Sequence, residues 1–108
     1  MDESTFQAAA ETTLTRLYTV IDETLGDDID AELRGGILTL ALEDGRQYVI
    51  NRHAPSKQIW LSSPVSGAAH FDLDAASGEW RSTRGGLPLV ARLVAELKAA
   101  TGRDIAFD

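Results

Sequence analysis

The residues with the most evident chemistry are carboxylates. Six acids, Asp22, Glu23, Asp27, Asp28, Asp30 and Glu32, fall within eleven positions, and no Lys or Arg occurs between Leu17 and Leu33. Hard cations take carboxylate oxygens, and a basic protein patch is the other natural complement of such a run. The order Asp27-Asp28-Ile29-Asp30-Ala31-Glu32 lacks the central Gly and distant Glu of a calcium loop. An open row without a cage predicts weak, multi-ion, salt-sensitive binding of hard divalent and trivalent cations, a class that includes Fe²⁺ and Fe³⁺. The same charges also fit a solvated face that aids solubility and blunts an edge strand. The charge pattern alone leaves both readings open.

The chain's formal charge of −7 is unevenly distributed. Residues 1–33 hold nine acids and one base, Arg16, for a net of −8; residues 34–108 hold eight acids and nine bases, for +1. Nucleic acid is a poor partner for this balance, because phosphate backbones require Lys and Arg. Cysteine is absent, which excludes disulfides, thiolate nucleophiles, Cys-ligated zinc and Cys-ligated clusters. His53 and His70 have no second His or Cys at ligand spacing, and read as a turn residue and a short-strand residue. No nucleophile triad, phosphate loop or secluded carboxylate pair stands out, so no enzyme is expected. The acidic N-terminus resembles neither a secretory signal nor a transit peptide, and no apolar run nears the roughly 20 residues of a membrane span. One cytoplasmic domain over residues 1–108, with no membrane contact, is the expectation.

The elements that position these carboxylates follow from periodicity. Phe6, Ala10, Leu14, Leu17, Ile21 and Leu25 form a helical stripe. Ser4 is the candidate N-cap, Gly26 the candidate left-handed stop, and the helix spans about residues 5–24. Asp22 and Glu23 then occupy its last turn, where the macrodipole disfavours anions by roughly 0.3–1 kcal/mol each. From Asp28 the period becomes two: Ile29, Ala31 and Leu33 face inward, while Asp28, Asp30 and Glu32 line the outer face. Gly35-Gly36 turns into a second strand at 37–42, and Asp44-Gly45 signals a tight hairpin. Strands follow at 47–52, 58–62, 69–73 and 79–81, then a helix with Pro88 in its first turn. Its stripe is Leu89, Val90, Leu93, Leu97 and Ala100, and Gly102 closes it. Helix, about six antiparallel strands, helix: this order predicts an α+β two-layer sandwich.

Pairing Arg52 with Lys57 across a turn at 53–57 sets Ile50 against Ile59 and Tyr48 against Leu61 on the core face. Asn51 then meets Gln58, and Val49 meets Trp60, on the outer face. A strand Trp is ordinarily core, but this one shares parity with Gln58 and sits near Asn51, as a binding hot spot would. Trp80 reads as core beside Phe71.

The run Ile50-Asn51-Arg52, then Lys57-Gln58-Ile59-Trp60-Leu61-Ser62-Ser63-Pro64, resembles the frataxin signature, as do Gly36–Leu40, Ser66-Gly67, the acidic start and the Trp80 strand. The resemblance extends over nearly the whole chain. It implies two terminal helices on one face of the antiparallel sheet. It also implies weak iron binding through Glu11, Asp22, Glu23, Asp27, Asp28, Asp30 and Glu32, with no cluster and no zinc. The implied partners are a cysteine desulfurase and its iron–sulfur scaffold protein. Asp22, Asp28 and Asp30 would meet the desulfurase, and Asn51, Gln58 and Trp60 would lie toward its junction with the scaffold. Some relatives carry Arg where this chain has His70. The absent presequence and short tail point to the bacterial branch, whose members regulate the desulfurase as monomers by default. The alternative the family implies is a weak ferroxidase that oligomerises with iron to store it.

Overall fold

Asp2, not Ser4, opens the first helix. Its Oδ1 accepts the Thr5 N–H at 2.7 Å, and an ionised acceptor at the positive end of a helix is a better cap than a hydroxyl. The computed structural model describes residues 1–107, and in it α1 spans Glu3–Leu25, burying the six stripe residues. Gly26 does not adopt the expected left-handed stop. Its φ of −60° keeps the helical sense, and the Asp28 N–H closes a further turn on the Leu25 carbonyl at 2.9 Å.

Six strands follow: β1 Ile29–Arg34, β2 Ile37–Leu42, β3 Gln47–His53, β4 Gln58–Ser63, β5 Gly67–Leu73 and β6 Trp80–Ser82. Each pairs antiparallel with its neighbour in chain order, so β1 and β6 are the two edges. Pro88 is the N-cap of α2 (Leu89–Thr101) rather than part of its first turn, and Gly102 ends that helix at φ +74°. The inward side chains of the strands join the buried stripes of both helices in one cluster. The helices therefore cover one sheet face and leave the other to solvent. Each fully buried Leu, Ile or Phe in that cluster contributes roughly 1.5–3 kcal/mol.

The β3–β4 register differs from the expected one by two residues. Ile50 faces Leu61, Asn51 faces Trp60, and the closing pair is His53–Gln58. The reason is the turn. Ala54–Ser56 forms one 3₁₀ turn, and Lys57 takes φ +52° to reverse the chain, so the loop is shorter than five residues. A slip of two preserves the faces, because side chains alternate with period two. His53 is thus a strand residue.

Tertiary hydrogen bonds anchor the sheet to both helices. Trp80, buried as expected, sets its ring edge-on to Phe6 at 6.1 Å rather than against Phe71. Its Nε1–H donates to the Thr13 hydroxyl at 2.9 Å. On the other helix, Glu96 accepts from three hydroxyls: Tyr48 at 2.9 Å, Ser63 at 2.6 Å and Ser66 at 2.7 Å. Ser63 Oγ in turn accepts the Val65 and Ser66 amides, both at 3.0 Å. This latch fastens the β4–β5 turn to α2. Burial raises the Glu96 pKa, but the three donors outweigh it and hold the carboxyl below its ordinary value. Burial and the Glu96 charge push the Tyr48 phenol up to about 12.

Candidate functional site: an acidic edge and an aromatic row

The carboxylates gather where α1 ends and the edge strand β1 begins. Asp22 and Glu23 are exposed in the last turn of α1, Asp27 is exposed in the connecting turn, and Asp30 and Glu32 project from the solvent face of β1. Asp28 precedes the strand and departs from the expected row. Arg103, from the segment after α2, donates from Nη1 to Asp28 Oδ2 at 2.8 Å and from Nη2 to the Thr24 carbonyl at 2.7 Å. That carbonyl is one of the unpaired acceptors at a helix C-terminus. A single guanidinium therefore neutralises one acid and caps α1. Glu32 has a looser, solvent-exposed contact with Arg34 at 3.5 Å. Asp22, Glu23, Asp27 and Asp30 have no ion pair among the described residues.

Glu11 lies on the same stripe of α1 as Asp22, but three turns away, about 16 Å along the axis. It borders a shallow cleft with Leu33, Gly36 and Arg52 at the far end of β1. The fold does not bring Glu11 into the cluster. Among the described residues no three acids or histidines converge on a common point. The arrangement is an open strip of carboxylates, suited to mobile cations and long basic side chains and not to a caged ion.

Asn51, Gln58 and Trp60 share the solvent face of the sheet. Trp60 stands between Asn51 on β3 and His70 on β5, and it is half-buried. The cause was not legible in the sequence. Both faces of its indole are covered by imidazoles, His53 at 3.6 Å and His70 at 4.2 Å, with planes within 10°. Its Nε1–H donates to Gln58 Oε1 at 2.9 Å, and Gln58 Nε2 donates to Asp72 at 3.0 Å. His53 Nδ1 lies 2.9 Å from the Ser56 hydroxyl. The histidines, read from sequence as bland, are the two outer layers of this stack. The ring is fixed in place and offers its edge, beside the exposed side chain of Ile37, which pairs with Asn51. Fixed aromatic groups lose little entropy on binding, which favours a recognition surface.

A family model described as the frataxin-like domain matches residues 1–103. The iron–sulfur cluster assembly protein CyaY of Vibrio cholerae is 41% identical over 96 residues, covering 89% of this chain and 88% of that protein. CyaY of Pseudomonas fluorescens is 35% identical over 111 residues, covering 100% of this chain and 96% of its own length. Among solved structures, frataxin from Psychromonas ingrahamii superimposes with a TM-score of 0.88 at 28% identity, covering 100% of this chain and 99% of that one. Trimeric frataxin from Saccharomyces cerevisiae, complexed with ferrous iron, gives 0.77 at 40% identity, covering 88% and 87%. With the family model matching nearly end to end and the same two helices on a six-stranded antiparallel sheet, the chain belongs to the frataxin family.

Proposed function

We propose that this protein binds iron weakly on its acidic edge and modulates iron–sulfur cluster assembly by docking on a cysteine desulfurase–scaffold complex. The observation that carries the reading is the set of four exposed acids, Asp22, Glu23, Asp27 and Asp30, at a helix C-terminus and a strand edge, without an ion pair among the described residues. Folding gains nothing from that placement, since anions there oppose the macrodipole and one another. The assembly role is supported by the names of the CyaY relatives, and iron binding by the ferrous complex of yeast frataxin. In this reading cations and the basic surface of the desulfurase compete for the same oxygens, so iron level sets docking strength. The row of Asn51, Trp60 and Gln58 faces the scaffold side.

The test is a double charge reversal, Asp22→Lys with Asp30→Lys, which spares the Asp28–Arg103 pair. Ferrous titration under anaerobic conditions and desulfurase binding should both weaken at least tenfold. Unchanged affinity for either would sink the shared-surface reading. The trimeric yeast relative favours a second reading, iron storage with weak ferroxidase activity in an oligomer. Monomeric elution in iron, with oxidation at the spontaneous rate, would exclude it.

A further inference from the structure

At the edge of the sheet opposite the acids, a cleft of about 250 Å³ opens between β5, the loop after β6 and α2. His70, Ser82, Thr83, Arg84 and Arg92 line it, and no carboxylate does. In a chain of net charge −7, a cleft lined by two arginines and a histidine, with no acid among its lining residues, is a concentrated exception. We propose that this cleft is an oxyanion-binding site, taking a carboxylate or a phosphate group.

Three observations carry it. Neither Arg84 nor Arg92 forms an ion pair among the described residues; the five ion pairs there use Arg34, Arg46, Arg81, Lys98 and Arg103. Arg92 is held in position without an anion: it is half-buried, with its guanidinium carbon 5.6 Å from the centre of the Phe71 ring. It also stands in the first turn of α2, beside the positive end of that helix, where a cation is locally disfavoured. Glu96, one turn further along α2, has both oxygens engaged by Tyr48, Ser63 and Ser66. Arg92 feels the Glu96 charge across one helical turn, but that carboxylate is taken up by its three hydroxyl donors, and the cleft itself is lined by two arginines and no acid.

The donor set defines the ligand. A guanidinium presents paired N–H groups that match two oxygens on one centre, which carboxylate and phosphate both supply. Ser82 and Thr83 stand beside the arginines in the lining. The volume suits one such group with a few attached atoms, not a nucleotide. His70 belongs both to this cleft and to the Trp60 stack, so the site lies on the rim of the aromatic row. The oxyanion can come from free phosphate or from an acidic side chain of a docked protein.

The experiment is an amide-shift titration of the intact protein at constant ionic strength, with inorganic phosphate in one arm and N-acetylglutamate in the other. Saturable shifts at His70, Ser82–Gly86 and Arg92 in the millimolar range are expected in at least one arm. A stronger response to phosphate identifies the free ion as the source, and a stronger response to the carboxylate identifies a protein side chain. Arg84→Gln, on an exposed loop, should weaken binding at least fivefold without unfolding the chain, and Arg92→Gln should do the same. Asp22→Lys with Asp30→Lys should leave it intact, which separates this site from the iron reading. Non-saturable shifts, or shifts that survive Arg84→Gln, would overturn the proposal.

Discussion

Arg103 reaches across 75 positions of sequence to Asp28, and the same guanidinium caps the Thr24 carbonyl. The segment after α2 is therefore tied to the acidic edge, and the one acid it neutralises is the one that directly precedes β1. An incoming cation that uses Asp28 must compete with this internal one.

Arg103→Ala should act in two opposite directions. Losing a partly exposed ion pair and a helix cap costs about 1 kcal/mol, a fall in Tm of roughly 4–8 °C for a domain near this size. Releasing Asp28 should meanwhile strengthen ferrous binding. Calorimetry and anaerobic titration of the same variant read both effects. A lower Tm with unchanged iron affinity would remove Asp28 from the cation-binding set.

The two tryptophans should separate cleanly. Trp80→Ala opens the core beside Phe6 and strands the Thr13 hydroxyl, so about 3–5 kcal/mol is expected. Trp60→Ala removes two stacking contacts on the solvent face, for about 1–2 kcal/mol. Denaturant midpoints give both values. Equal losses would mean that the Trp60 ring supports the fold and is not held there for a partner, whereas retained stability with lost desulfurase docking fits the proposed role.

These contrasts mark what the chain's pattern could reveal. The stripe of α1, the alternation of β1–β4 and the face occupied by Trp60 are local periodicities, and they survive a register error of two because parity does. The partner of Asp28 is 75 positions away, and no periodicity connects them. The same holds for the stack: His70 meets Trp60 only once the β4–β5 register is fixed, and His53 leaves the turn only because Lys57 tolerates a positive φ. Glu96 carries no local sign of its role, since its three donors come from two distant strands and a turn. Arg84 and Arg92, eight positions apart, are likewise brought to one cleft only by the fold.

The Glu96 latch should make stability depend on pH at both extremes. Its folded pKa is depressed, so its contribution is complete above the unfolded value of about 4.5 and is lost as pH falls through the folded value. Tyr48 runs the other way: raised to about 12 from 10.0, it donates fully below pH 10 and is lost as pH rises through about 12. Glu96→Ala should cost about 2 kcal/mol at pH 7, through unmade hydroxyl bonds. The gap between wild type and variant should narrow near pH 3, measured by urea denaturation. A gap that is constant with pH would show that the carboxylate charge contributes nothing.

Some of the charges at the acidic edge oppose folding. Asp22 and Glu23 sit at the negative end of α1, and Arg103 supplies only one cation there, already bonded to Asp28 and Thr24. Replacing an anion at such a position by its amide relieves roughly 0.3–1 kcal/mol. Asp22→Asn with Glu23→Gln should therefore raise Tm by a few degrees while weakening ferrous binding and desulfurase docking. Asp30→Asn, on an edge strand beside Glu32, should do the same on a smaller scale. The joint outcome matters more than either half. A surface kept for solubility alone would gain stability under these changes and lose no ligand, whereas a docking edge must gain one as it loses the other.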